Sequence, residues 1–312
     1  MYDFIIIGGG MSGLSAAMYG TRLGLKTLTL AEMPGGLITT THLVENWPGI
    51  KSITGPDLGV SLYEHAQAAG AEIKSEKVKK IENLGEKDGF PRFKVTTGGS
   101  EYEGKTILFA TGTKHRKLGV PGEAELENRG VSYCALCDGA FFKEKIVSIV
   151  GGGDSAVKEA LFLSEHASKV YIIVRKDYLR AEPINAARLE KNDKIEVLYK
   201  TEIEEIKGTD KVEALKFKDG TGGDMAGKEI EMQGVFMAIG HDAQTALAEE
   251  LGVELNDKKE IKINRRTETN MKGVFAAGDC CDTEFKQAIT GSAEGVTASY
   301  YAYHLCTTDA SF

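Results

Sequence analysis

The pattern G-x-G-x-x-G/A occurs twice in this chain, as Gly8-Gly9-Gly10-Met11-Ser12-Gly13 and as Gly151-Gly152-Gly153-Asp154-Ser155-Ala156. Each copy follows an apolar run, Phe4 to Ile7 and Ile146 to Val150, and precedes a helix-like stretch. That context lifts such a match above chance. Glycine lets the backbone turn tightly and approach a pyrophosphate, whose charge then rests on the N-terminus of the following helix. A chain built on two such turns is constrained to an α/β fold with two nucleotide-binding units.

The copies can be compared position by position, because a second apolar strand ends at the same distance from each turn. Glu32 lies 24 residues after Gly8, and Arg175 lies 24 after Gly151. An acid at that point accepts hydrogen bonds from ribose hydroxyls, whereas basic residues favour the extra 2′-phosphate of NADP. The first unit therefore reads as a site for FAD or NAD and the second as one for NADP. Arg175, Lys176 and Arg180 supply three cations within six residues, and arginine offers fork-shaped donors suited to phosphate oxygens.

Along the chain, residues 1–113 read as strand, glycine turn, helix and strand, followed by a helix from about Thr54-Gly55-Pro56-Asp57 towards Ala69. Val78 to Val95 alternates and is broken by Gly85 and Gly89, as in a small antiparallel sheet. Thr106 to Gly112 reads as a buried strand, and Val235 to Gly240 is its counterpart in the second unit. Lys207 to Lys228, rich in Gly, Asp and Lys, reads as a surface hairpin.

The 312 residues, 42% hydrophobic and 27% charged, suit two domains with sizeable cores. A net charge of −8 without a basic tail argues against nucleic acid or an anionic membrane as partner. No apolar stretch approaches the roughly 20 residues of a membrane helix. Met1-Tyr2-Asp3 runs straight into a strand with no basic leader, so a cytoplasmic protein is expected. The cysteines, Cys134, Cys137, Cys280, Cys281 and Cys306, do not make the dense framework of a secreted scaffold. C-x-x-C in a reducing compartment points to redox catalysis or to metal. Against a metal, the adjacent Cys280 and Cys281 make a poor tetrahedral half-site and read as small buried fillers, like Cys306. The histidines at 42, 65, 115, 166 and 304 show no spaced cluster.

The order of motifs is specific: two glycine turns, Cys134-Ala135-Leu136-Cys137-Asp138 just before the second, and Ala277-Gly278-Asp279 near the end. In this order they resemble the low-molecular-weight thioredoxin reductase family over nearly the whole chain. The resemblance implies two Rossmann-like domains of the three-layer ββα kind, the second inserted in the first. Residues 1–113 and 243–312 would form a discontinuous FAD-binding domain, and 114–242 an NAD(P)H-binding domain carrying the redox-active cysteines. Carried over residue by residue, Gly8, Gly10, Gly13, Glu32, Gly36, Asn46, Val78, Gly112, Asp279, Gln287 and Ala288 look like FAD contacts. Gly151, Gly153, Asp154, Ser155, Ala156, Arg175, Lys176 and Arg180 look like the NADPH site, with Ile239, Gly240 and His241 closing over the nicotinamide half.

The implied activity is that of a homodimeric flavoprotein in which NADPH reduces FAD, FAD reduces the Cys134-Cys137 disulfide, and the dithiol reduces thioredoxin or a thioredoxin-like protein. By the same resemblance Cys137 faces the flavin and Cys134 attacks the partner. Asp138 is a candidate acid for the leaving thiolate, its other reading being a helix cap. Hinges are expected near Thr113 to Leu118 and Gly240 to Thr245. The chain departs from the family pattern at Val174, where histidine is usual, at Lys176 and Lys286, where arginine is usual, and at Asp242-Ala243, which lacks a common proline. NADH, ferredoxin or a reduced deazaflavin therefore remain open as donors, and a dithiol oxidase remains an alternative.

Overall fold

The computed structural model describes residues 1–307. The chain separates into two compact units, residues 1–114 with 243–312 and residues 115–242.

The first stretch of unit one runs β1 (Tyr2–Ile7), α1 (Met11–Arg22), β2 (Thr27–Leu30), α2 (Gly55–Ala68), β3 (Glu72–Lys74), β4 (Val78–Lys87), β5 (Phe90–Thr97), β6 (Glu101–Phe109) and β7 (Thr113–His115). Unit two continues with β8 (Val131–Ser132), α3 (Ala135–Asp138), β9 (Ile146–Val150), α4 (Asp154–His166), β10 (Lys169–Ile173), α5 (Pro183–Leu189) and β11 (Ile195–Leu198). Then follow β12 (Ile203–Lys207), β13 (Ala214–Phe217), β14 (Glu229–Glu231), β15 (Gly234–Met237) and β16 (His241–Ala243). The chain closes with α6 (Ala246–Leu251), β17 (Val274–Ala276) and α7 (Ala288–Cys306).

In unit one, β3-β2-β1-β6 pair in parallel, β17 adds to β6, and β6-β5-β4 continue as an antiparallel meander. Successive side chains of a strand point to opposite faces. On β1, Phe4 and Ile6 accordingly join Leu14, Ala17, Ala298 and Ala302 in one core, while Ile5 and Ile7 join Ile81, Phe93, Val95 and Ile261 in another. Both faces are covered, which makes three layers.

The last helix docks on the first because glycine permits close approach. A Cβ added at Gly295 would come within 2.1 Å of the Ser12 carbonyl oxygen. Ser299 Oγ donates to the Ala16 carbonyl at 2.9 Å across the same seam. This packing closes a domain whose two halves are far apart in sequence.

Unit two repeats the plan with the parallel sheet β11-β10-β9-β15-β8. Val147, Ile149, Val170 and Ile172 pack under α4, while Val150, Ile173, Val235 and Met237 face the antiparallel layer β12-β13-β14. The structure corrects the expected surface hairpin at 207–228. Ala214–Phe217 is the central strand of that layer, and Val212, Leu215 and Phe217 are fully buried. The charged Glu213, Lys216 and Lys218 lie in and beside it, exposed or half-buried among the buried residues, and this mixed composition hid the strand. Gly85 likewise does not end its strand: β4 runs through it, with the register slipping between Asn83 and Glu86. The helix expected near residue 54 is α2, with Thr54 Oγ1 accepting from the Asp57 amide at 3.2 Å.

Candidate active site

In unit one the first glycine turn leaves β1 beside β6. Gly8 has φ +113°, and a Cβ there would meet the Ala110 carbonyl oxygen at 2.2 Å, so only glycine fits. A Cβ on Gly13 would meet the Gly8 carbonyl oxygen at 2.0 Å, which is what holds α1 tight against the turn. The N-cap of α1 is Gly10, which has no side chain to satisfy the first-turn amides. Those amides are left for an anion. Gly36 lies against Gly10, its own would-be Cβ 2.7 Å from the Gly10 Cα, and so walls the turn on one side.

Several expected contacts, distant in sequence, converge here. Asn46 Nδ2 donates to Gln287 Oε1 at 3.1 Å across 241 residues of chain. Glu32 stands exposed at the end of β2 and pairs with Lys77 Nζ at 2.9 Å. Ala288 packs with Met11, Val44 and Trp47. The side chain of Val78 belongs to the core, which leaves only its backbone to reach a ligand. Gly112, at φ +61°, has open space around it.

Asp279 is half-buried, and its carboxylate accepts no hydrogen bond from a described residue. Burial raises its pKa against the opposing pull of Lys286. A carboxylate held without a donor is a fitting acceptor for a ligand hydroxyl. Lys286 itself is committed within the protein, to Glu260 Oε1 at 2.6 Å and to the carbonyls of Asp279 and Cys281 at 2.8 and 2.9 Å.

Unit two repeats the cradle. Gly151 has φ +148°, and a Cβ there would meet the Ala238 carbonyl oxygen at 2.2 Å. Gly153 caps α4 without a side chain, Ser155 is exposed in the first turn, and Ala156 is buried beneath it. The basic segment after β10 is tied to this turn, with the Arg180 amide donating to the Gly152 carbonyl at 2.7 Å.

Asp154 does not face outward as a free ligand group. Its Oδ1 accepts from the Glu182 amide at 2.8 Å and Asn185 Nδ2 at 2.9 Å, and its Oδ2 pairs with Lys158 at 2.8 Å. It fixes the start of α5, just after the basic loop, against the head of α4. Arg175 and Arg180 are exposed, and among the described residues neither makes an ion pair. Lys176 Nζ bonds to Tyr178 Oη at 2.8 Å. Val174, where the family pattern has histidine, is buried, and Gly152 leaves room for it: a Cβ there would come 2.9 Å from Val174 Cγ1.

Cys134 and Cys137 are joined as a disulfide. Cys134 caps the single turn α3, its Sγ accepting from the Cys137 amide at 3.1 Å, and Cys137 is the more exposed of the two. Asp138 does not cap a helix with its side chain; its Oδ2 accepts from Ser132 Oγ at 2.6 Å. Phe141, just beyond the pair, is 72% exposed, while Phe142 is edge-on to the buried Phe236. Cys280, Cys281 and Cys306 are buried, and no group of three or more potential metal ligands occurs among the described residues.

Two features escaped the sequence. At the ribbon formed by β7 and β16, the rings of His115 and His241 lie 4.7 Å apart. Glu159 on α4 is largely buried, its Oε2 without a hydrogen-bond partner among the described residues, and burial pushes its carboxyl up to about 8. No motif marks either, because both depend on what packs around the residue.

The Glu159 carboxyl titrates near 4.5 when unperturbed, so between that value and about 8 the folded protein holds a proton that the unfolded chain has lost. Its contribution to stability is therefore full below the lower value and declines as pH rises through the upper one. Glu159→Gln is expected to flatten this decline. Between about pH 6 and pH 9 the melting temperature should fall further in the parent than in the variant, and equal falls would refute the assignment.

Residues 2–295 match the family model described as pyridine nucleotide-disulphide oxidoreductase. The chain belongs to the pyridine nucleotide-disulphide oxidoreductase family. It is 41% identical over 306 residues to the thioredoxin reductase of Bacillus subtilis (strain 168), covering 97% of this chain and 94% of that one. The solved structure of Lactococcus lactis thioredoxin reductase is similar at a TM-score of 0.92 and 36% identity, over 98% of this chain and 99% of the other. That of T. acidophilum thioredoxin reductase is similar at 0.90 and 35%, over 97% and 98%. Within the family, then, the chain groups with the low-molecular-weight thioredoxin reductases.

Proposed function

We propose that this chain is a thioredoxin-disulfide reductase, carrying electrons from NADPH through FAD and the Cys134–Cys137 disulfide to thioredoxin or a thioredoxin-like protein. The observation that carries the reading is a closed two-cysteine disulfide in a chain with two uncapped glycine cradles. Unit one would hold FAD, with the Gly8 to Gly13 turn at the pyrophosphate and Asp279, Asn46 and Gln287 at hydroxyl and ring edges. Unit two would hold NADPH, with Arg175 and Arg180 at the 2′-phosphate and the 239–241 segment beside the nicotinamide. Bound FAD supplies the two-electron exchange between a nicotinamide and a disulfide.

The cysteines do the remaining work. In the reduced enzyme the Cys134 thiolate, supported by the Cys137 amide, attacks one sulfur of the partner disulfide and releases the other as thiolate. The Cys137 thiolate then attacks the Cys134 sulfur, releases the partner's second thiolate and restores the bond seen here. Asp138, whose Oδ2 accepts from Ser132, would supply the proton to a departing thiolate. The exposed Phe141 offers an apolar contact that a protein substrate would cover.

A cytoplasmic homodimer completes the proposal. Its support is the family resemblance, together with the exposed Met33, Leu43, Ile50 and Val60 of unit one, which a second copy would cover. Light scattering of the purified protein checks it, and a monomeric mass would overturn it.

Anaerobic titration with NADPH and separately with NADH tests the donor. Bleaching of the flavin by NADPH at low stoichiometry, and not by NADH, is the expected result. If neither bleaches it while dithionite does, the donor is not a nicotinamide.

Arg175→Ala and Arg180→Ala should each raise KM for NADPH by roughly tenfold or more and leave kcat and NADH use unchanged. A hydrogen bond to a charged group contributes about 1.5–3 kcal/mol. Equal losses with both nicotinamides would remove these residues from the 2′-phosphate site.

A further inference from the structure

The chain passes between its two units at 114/115 and 242/243, and the two crossings pair with each other as the ribbon of β7 and β16. The Arg116 amide donates to the Gly240 carbonyl at 3.0 Å, and the Gln244 amide to the Gly112 carbonyl at 2.9 Å. Residue numbers falling on one strand as they rise on the other define an antiparallel pair. His115 therefore stands directly opposite His241, in a non-hydrogen-bonded position, where facing side chains are closest. Both residues belong to unit two.

The spacing of the two rings fits a shared ion. A ligating nitrogen lies about 2.0–2.1 Å from Zn²⁺ and about 1.1 Å from its ring centroid, so two imidazoles at roughly 90–110° about one ion have centroids about 4.5–5.2 Å apart. Here the separation is 4.7 Å. No ring nitrogen of either histidine is hydrogen-bonded to a described residue.

The neighbouring groups are already satisfied. Arg116 is paired with Asp242 Oδ1 at 2.7 Å. Tyr133, whose ring lies 5.9 Å from that of His115, donates to Glu123 at 2.9 Å, and Lys117 pairs with Glu127 at 2.8 Å. Partial burial favours the neutral, metal-binding form of both histidines.

We propose that His115 and His241 form a two-imidazole site for a divalent late transition ion such as Zn²⁺ or Ni²⁺, with water completing the coordination, and that the ion staples the ribbon at the two chain crossings. Imidazole is a preferred ligand of both ions. Its two ligands are distinct from the Cys134–Cys137 pair.

The test is calorimetric titration of the tag-free, oxidised holoenzyme with Ni²⁺, in which the closed Cys134–Cys137 disulfide and the buried remaining thiols do not compete. One equivalent should bind, His115→Gln should weaken it by at least about tenfold, and His166→Gln, a histidine elsewhere in unit two, should leave it unchanged. Should His115→Gln fail to fold, as judged by loss of the far-ultraviolet circular dichroism and of a cooperative melt, His241→Gln is read for Ni²⁺ affinity in the same way. Absence of a stoichiometric event, unchanged affinity in the ribbon variant, or an equal loss in His166→Gln would each overturn the proposal.

Discussion

Serine at either Cys134 or Cys137 is expected to lower NADPH-driven reduction of a protein disulfide by at least about a thousandfold, while the variant purifies yellow and is still bleached by NADPH. The two cysteines act as a unit, since neither can close or open the bond alone, so single losses should be as severe as the double one. Serine is nearly isosteric and both positions lie at the surface or half-buried, so the fold should be indifferent to the change. The variants also separate the two sulfurs. If Cys134 attacks the partner, Cys137→Ser should trap it as a stable mixed disulfide, since the resolving thiolate is missing, and Cys134→Ser should not. Trapping by Cys134→Ser alone would exchange the assigned roles. That outcome has a physical basis to contend with, because Cys137 is the more exposed sulfur whereas the Cys134 sulfur accepts an amide hydrogen bond. Turnover surviving in Cys137→Ser would remove the pair from the reaction.

The architecture was legible in the sequence where a glycine is compulsory. Gly8, Gly13 and Gly151 stand where any Cβ would strike a backbone carbonyl, and such positions leave a fixed pattern in the chain. The ends of β2 and β10 were legible for the same reason, because strand length and turn length set the positions of Glu32 and Arg175. What a side chain bonds to was not legible. Asp154 reads as a ligand group from its place in the motif, yet it accepts from the Glu182 amide and the Asn185 side chain and so pins the start of α5 to α4. Lys286 reads only as a departure from the arginine usual there, yet its ammonium bonds the carbonyls of Asp279 and Cys281 and the Glu260 carboxylate. Glu159 is an ordinary helix residue until the packing above it is known. The docking of α7 on α1 was hidden too, because Gly291 and Gly295 matter only through what Ser12 does opposite them.

Alanine at Gly8 and alanine at Gly151 are expected to have separable consequences, although the two substitutions are chemically identical. Each forces a Cβ to within 2.2 Å of a carbonyl oxygen, Ala110 in one case and Ala238 in the other, at φ values of +113° and +148°. Strain of a residue held at such a torsion costs about 1–3 kcal/mol and overpacking about as much again. The turn must open, and the amides at the head of the following helix move off the anion they would hold. A loss of about 2–6 kcal/mol in cofactor affinity corresponds to roughly thirtyfold or more. Gly8→Ala should therefore purify with little or no flavin and show no disulfide reduction. Gly151→Ala should remain yellow, retain its dithionite-reducible flavin and disulfide, and lose reduction by NADPH at concentrations that saturate the parent. The readouts are the flavin-to-protein absorbance ratio and the NADPH titration of each variant. If Gly151→Ala loses flavin as readily as Gly8→Ala, the two cradles are not assigned to separate nucleotides. If Gly8→Ala keeps its flavin while Gly151→Ala loses it, the assignment is inverted.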